Sequence, residues 1–256
     1  MGDLVLYTKH ANKAMITLNR PQKLNALNML VLKELEAVLD QCEADQDLRV
    51  LLMKGAAENF ASGADISMLM SVDGPEGARQ FHQLREQLFN RIENLHCPTI
   101  ALVDGYALGS GLELALSFDF RIGTTRAKFG VPSGKLGIVE SYEYISRLTS
   151  VVGPAWAKEM LFTAVFLDAP KALELRLINR MVPPVELENF GEELAEKIIK
   201  NSPHAVKGSK LVVNQCARDL NLAAVADTGA PFIGSIGGKD FQEGTAAFFE
   251  RRKPNF

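Results

Sequence analysis

Two short apolar runs set the frame for this chain. Arg49 to Lys54 (RVLLMK) and Thr99 to Val103 (TIALV) read as strands buried on both faces, and an amphipathic helical pattern lies between them. In residues 76–96, Phe81, Leu84, Leu88, Ile92 and Leu95 fall on one helical face. Pro98 ends that pattern just before the second strand. Strands separated by helices predict an α/β chain. The flanks extend the alternation. Leu4, Leu6 and Thr8, then Ile16 and Leu18, read as a hairpin turning at His10-Ala11-Asn12. A helix is expected after Pro21, with Leu27, Val31, Leu35, Val38 and Cys42 in phase, and one more strand over 118–123. From about residue 154 helical patterns take over, at 154–163, 170–177, 186–201, 203–217 and 240–251. A helical final third suggests packing against another subunit.

Composition excludes several classes. With 256 residues the chain can bury a core without staples. Apolar residues at 47% and charged residues at 23% fit a folded protein rather than a disordered one. The net charge of −3 argues against a dedicated nucleic-acid binder. Cys42, Cys97 and Cys216 form no CxxC pair, so neither a disulfide framework nor a structural zinc site is expected, and a reducing compartment fits. His10, His82, His96 and His204 are scattered, so no metal is expected. No signal peptide and no long apolar span is read, which places the expectation in the cytoplasm.

Two glycine-bearing segments carry the chemical signal. Phe60-Ala61-Ser62-Gly63-Ala64-Asp65-Ile66 and Asp104-Gly105-Tyr106-Ala107-Leu108-Gly109-Ser110-Gly111-Leu112-Glu113-Leu114 each follow a strand and open an expected helix. Such junctions present unpaired backbone N–H groups at a positive helix end. Two facing junctions can hold one oxygen between two donors, an oxyanion hole. A plainer reading is open at both: Ser110-x-x-Glu113 is also a capping box, and Ser62 to Asp65 a near relative. A P-loop, a full GxGxxG and a GxSxG nucleophile elbow are absent.

Taken in order with Asn19-Arg20-Pro21, Leu24-Asn25-Ala26-Leu27, Phe129-Gly130, Pro132 and the C-terminal Arg251-Arg252-Lys253-Pro254-Asn255-Phe256, these segments resemble the enoyl-CoA hydratase/isomerase (crotonase) family. The resemblance implies a crotonase spiral of strand–strand–helix units over 1–195. A helical region over 196–256 would form trimers, commonly stacked as hexamers. It implies an acyl-CoA substrate, with coenzyme A part of that substrate and no separate cofactor. The oxyanion donors would be the N–H groups of Ala64 and Ser110, where the family usually has Gly at the second place. Glu113 matches one catalytic glutamate. The second falls on Ser133, after Pro132, and is missing. Three substitutes stay open: Glu140 from the adjoining loop, Glu113 alone with water, or a tyrosine, Tyr142 or Tyr144. Glu140 as a solvated loop carboxylate is the plainer alternative. Glu113 is expected to be kept ionised by the nearby helix dipole and to act as the base, with Glu140 as the acid. Family positions further assign Lys23, Leu24, Ala26, Ser62, Gly63, Asp65, Ile66, Gly109, Pro132, Ser133 and Tyr142 to substrate binding. Phe232 and Phe248 would line the acyl pocket, and Arg251 would sit near the nucleotide phosphates. Hydration of a 2-enoyl-CoA is the leading reading. Isomerisation, decarboxylation or plain acyl-CoA binding are the alternatives. RNA binding is disfavoured by the charge.

Overall fold

The computed structural model describes residues 3–71, 74–218, 234–235 and 238–256. Among these residues, β1 (Val5–His10) and β2 (Lys13–Leu18) form the expected hairpin, paired in antiparallel register from Val5↔Leu18 to His10↔Lys13. From β2 the sheet grows by parallel additions: β3 (Val50–Gly55), then β4 (Thr99–Val103), then β6 (Phe120–Thr124), then β9 (Arg180–Val182). A second sheet joins β5 (Tyr106–Leu108), β7 (Lys128–Gly130) and β8 (Phe166–Asp168). Parallel neighbours require crossovers, and these are the helices.

The crossover between β2 and β3 is α1 (Met29–Ala44), capped by the Asn28 side chain, which accepts from the Val31 N–H at 2.9 Å. Leu27 therefore lies outside the helix expected to contain it. Its N–H and C=O instead pair with Gly63 and Asp65 in a parallel bridge to Ala64. After β3 come α2 (Ile66–Ser71) and α3 (Gly74–Glu93). The short α4 (Ser110–Leu116) is wholly buried. The long α5 (Tyr142–Thr163) breaks at Gly153, φ 76°, ahead of Pro154. It begins a dozen residues earlier than the periodicity suggested, because Ser141 caps it through the Tyr144 N–H at 3.2 Å. The remainder is α6 (Ala169–Glu174), α7 (Leu187–Ile199), α8 (Pro203–Arg218) and α9 (Lys239–Glu250).

One face of the large sheet packs on α1, α3 and α4 around Leu32, Leu35, Leu51, Met53, Leu88 and Phe89. The other face, with Leu52, Ile100, Leu102 and Ile122, packs on α7. Each fully buried aliphatic side chain contributes roughly 1.5–3 kcal/mol. The expected boundary at 195/196 falls inside α7, where Ala195 is buried in that second core layer. Among the described residues no helix is long and apolar enough to cross a membrane.

Candidate active site

The first glycine segment is fixed by backbone and by the residues before it. The Ser62 N–H donates to Leu24 C=O at 3.0 Å and Leu27 N–H to Gly63 C=O at 2.8 Å. Asn25 accepts from the Arg20 N–H and donates to the carbonyls of Ala56 and Asn59. Arg20 pairs with Asp65 at 2.7 Å. Asp65 also accepts from Ser67 at both N–H and hydroxyl, which draws its pKa down to about 2. Asp65 is thus the cap of α2. Lys23, Leu24 and Ile66 form an exposed rim along this strip, whereas Ala26 is buried beneath it.

The second segment crosses the first. Ala61 exchanges backbone hydrogen bonds with Tyr106 and Leu108, and Gly109 N–H donates to Gly130 C=O at 2.9 Å. Two glycines are obligatory here. A Cβ on Gly111 would sit 2.1 Å from Ala61 O. Gly63 has φ +109°, and a Cβ there would lie 2.9 Å from Leu108 O and 3.7 Å from Ser110 N. The backbones around Ala64 and Ser110 are therefore neighbours. Among the described residues neither the Ala64 N–H nor the Ser110 N–H donates to a protein acceptor.

The capping-box reading does not hold at Ser110. The N-cap of α4 is Gly109, φ 49°, with no side-chain cap, so Ser110 is already the first helical residue. Its hydroxyl accepts from Arg85 Nη1 at 3.2 Å instead.

Arg85 belongs to a buried ionic cluster that joins α3, α4 and α5. Arg85 Nε lies 3.1 Å from Glu113 Oε2, and Nη2 donates to Glu86 Oε1 at 2.9 Å. Arg147 reaches Glu113 at 3.5 Å, Glu86 and Glu93 at 3.2 Å, and Asn90 at 2.7 Å. Ser141 Oγ donates to Glu86 at 2.9 Å. Glu113 is 0% exposed, neither of its carboxyl oxygens has a hydrogen-bond partner among the described residues, and it shares the Arg85 and Arg147 guanidiniums with Glu86. Burial raises the Glu113 pKa to about 9 against the opposing pull of Arg85. Glu86, held by Arg85, Arg147 and Ser141, falls to about 2. Burial thus opposes the expectation that a helix end keeps Glu113 ionised. The dipole of a seven-residue helix is worth about 1 kcal/mol, less than the loss of hydration of a fully buried carboxylate.

Glu140 stands just before the cap of α5, half-buried, with the Ser133 side chain near its carboxyl. Burial raises its pKa, Arg85 and Ser133 opposing. It is therefore not a freely solvated loop carboxylate. Ser133 is itself buried in the 3-10 turn Pro132–Leu136. Tyr142 is 83% exposed on the first turn of α5 and does not enter the cluster. Tyr144 does: it is buried, its hydroxyl lacks a partner among the described residues, and Glu140, Glu113 and Arg85 act on it electrostatically.

Phe232 lies outside the described residues. Phe248, on α9, is 77% exposed and Arg251 is exposed at its C-cap; α9 packs on α8 with Ala247 inward, which leaves Phe248 facing out of a single chain. A cleft of about 810 Å³ between the end of α3 and α8, lined by Leu95, His96, His204 and Lys210 among others, contains none of these site residues.

Sequence reasoning missed Arg85, Glu86 and Arg147. A signal was present: Arg85 sits four residues from both Phe81 and Phe89, in the apolar phase of α3. A charge in that phase must find a buried partner.

The sequence profile described as enoyl-CoA hydratase/isomerase matches residues 8–256. The chain belongs to the enoyl-CoA hydratase/isomerase family. Its relatives include a short-chain-enoyl-CoA hydratase of Clostridium acetobutylicum, 40% identical over 97% of this chain and 95% of that protein. A crotonyl-CoA hydratase of Syntrophomonas wolfei is 35% identical over 98% and 97%. Among solved structures, an enoyl-CoA hydratase from Bacillus anthracis superposes with TM-score 0.93 at 32% identity, covering 99% of this chain and 98% of that one. An enoyl-CoA hydratase/carnithine racemase from Magnetospirillum magneticum gives 0.94 at 30% identity, covering 100% and 96%. The crotonase-like fold expected from the sequence is the fold of the chain.

Proposed function

We propose that this enzyme of the enoyl-CoA hydratase type adds water to a short-chain 2-enoyl-CoA, with Glu113 giving the proton to Cα and Glu140 taking it from water. One observation carries the assignment. A fully buried Glu113, whose pKa burial raises to about 9, lies one helical turn beyond the unpaired N–H of Ser110, with the unpaired N–H of Ala64 across from it. Those two donors suit a thioester oxygen that gains charge as an enolate forms, a stabilisation of about 3–4 kcal/mol per donor. Two carboxyls set apart by environment divide acid and base work. Burial makes Glu113 the acid. Glu140, less buried and beside Ser133, is the base. This reverses the roles expected from sequence and gives Glu140 the task left open by Ser133.

The exposed rim of Lys23, Leu24 and Ile66 offers a surface for coenzyme A, with Ser62 and Asp65 holding the strip in shape. Phe248 and Phe249, both exposed on α9, favour assembly through the C-terminal helices as a trimer or a dimer of trimers. The three unpaired cysteines suit a reducing cytoplasm.

The test is a panel of acyl-CoAs read by mass spectrometry, with crotonyl-CoA followed by loss of enoyl-thioester absorbance. Gain of one water is expected. An unchanged mass with a moved double bond, loss of carbon dioxide, or tight binding without turnover would each replace the hydratase reading.

A further inference from the structure

We propose that Arg85 is a positioning residue that aims the carboxyl of Glu113 for reaction, with the Ser110 hydroxyl as one of its anchors. The proposal rests on the reading of Glu113 as a group that acts on substrate. The backbone of Glu113 is set by α4, where its N–H donates to Gly109 C=O at 3.0 Å. Its side chain is held differently. Both carboxyl oxygens are buried, and neither has a hydrogen-bond partner among the described residues. A carboxyl at the end of rotatable bonds needs something to hold its direction, and small misplacements of a reacting group are costly in rate. Here the holding groups are cations. Arg85 Nε stands 3.1 Å from Oε2, and Arg147 Nη1 stands 3.5 Å from Oε1.

Arg85 is the nearer of the two, and its other edges are pinned. Nη1 donates to Ser110 Oγ at 3.2 Å, Nη2 donates to Glu86 Oε1 at 2.9 Å, and the guanidinium lies over the Phe81 ring, 5.9 Å from its centroid. A guanidinium is planar, so fixing Nη1 and Nη2 also fixes where Nε points. The anchors come from both elements the side chain bridges. Phe81 and Glu86 lie on α3, and Ser110 opens α4, one turn before Glu113. Ser110 therefore has two tasks: its N–H faces the proposed thioester oxygen, and its hydroxyl steadies the cation that aims the carboxyl. A glycine at this position could perform only the first. Stability alone explains Arg85 poorly, because a buried ion pair is often no more stable than apolar side chains of the same volume. Arg85 occupies the apolar phase of α3, where such a side chain would fit the pattern.

The experiment is a double-mutant cycle on crotonyl-CoA hydration. It measures kcat, KM and thermal unfolding for Arg85→Lys, Glu113→Gln and the pair. Lysine keeps the charge but has one nitrogen, which cannot meet Ser110, Glu86 and Glu113 in the geometry of the fork. Arg85→Lys should lower kcat about 10- to 100-fold with KM changed less than about twofold. In the Glu113→Gln background the same substitution should cost less than about twofold, because the group it aims is gone. Ser110→Ala deletes the anchor and keeps the N–H. It should lower kcat about two- to fivefold, and that loss should vanish beside Arg85→Lys or Glu113→Gln. Full activity in Arg85→Lys, or an equal loss with and without the Glu113 carboxyl, makes Arg85 only a tie between α3 and α4 and overturns the proposal. If Arg85→Lys no longer unfolds cooperatively, Ser110→Ala decides: no loss, or a loss that persists beside Glu113→Gln, overturns it. Full activity in Glu113→Gln refutes the reading of Glu113 itself, and a wild type that does not hydrate crotonyl-CoA refutes the hydratase reading; the proposal falls with either.

Discussion

The two halves of this site are built from different materials. The half proposed as the oxyanion hole consists of backbone: two crossing segments whose N–H groups are set by glycines that no other residue can replace without collision. The proton-transfer half consists of side chains from α3, α4, α5 and the 3-10 turn at Pro132, elements far apart in sequence. The first half is rigid by sterics and carries no net charge. The second places four carboxyls and two guanidiniums in a nearly dry volume, so each protonation state depends on all its neighbours. A backbone device tolerates a changed side chain at Ser110, because the N–H remains. A side-chain device can also survive the loss of a carboxyl at 133, provided another element, here the residue before the α5 cap, delivers one.

This contrast orders the consequences of substitution. Glu113→Gln removes the proposed proton donor and should lower kcat by about 10²–10⁴-fold with KM little changed, measured by crotonyl-CoA turnover. Gly63→Ala forces a Cβ against Leu108 O at φ +109° and displaces the donors. A loss of about 10²–10³-fold in kcat is expected while the thermal transition stays cooperative. Glu140→Gln should cost less, about 10–10²-fold, because water itself can take up part of the proton acceptor's task. Full activity in that variant would remove Glu140 from the mechanism. The smallest effect belongs to Ser110→Gly, which keeps the N–H and frees Arg85 Nη1. A change under about tenfold sharpens the distinction between backbone and side chain, and a loss as large as that of Gly63→Ala would break it.

What could be read from sequence follows the same division. The hairpin, the strands at 50–55 and 99–103 and both glycine segments announce themselves through local pattern, since sterics and periodicity are local. Strands β5, β7, β8 and β9 span three residues each, too short to show alternation. Ala64, Ser110 and Glu113 were legible because they lie within the motifs. Glu140 was legible only as a substitute for the residue missing at Ser133. Arg85, Glu86 and Arg147 were not recognised, since their role exists only where α3 and α5 meet over α4. The burial that raises the Glu113 pKa went unread for the same reason. A helix end is visible in the sequence, whereas complete burial is a property of the packed whole.

The claim at the centre of this account is that Glu113 carries the proton it delivers. The direct measurement is the pH dependence of kcat/KM for crotonyl-CoA hydration, which reports groups of the free enzyme. If the protonated form of Glu113 is required, kcat/KM is sustained through neutral pH and declines as pH rises through about 9, where Glu113 loses its proton. The acid limb should fall as Glu140 is protonated, at a pH above the ordinary carboxylate range, since burial raises that group as well. A kcat/KM that instead climbs with pH through about 9 would show that the ionised form of Glu113 is the active one, and would contradict the assignment.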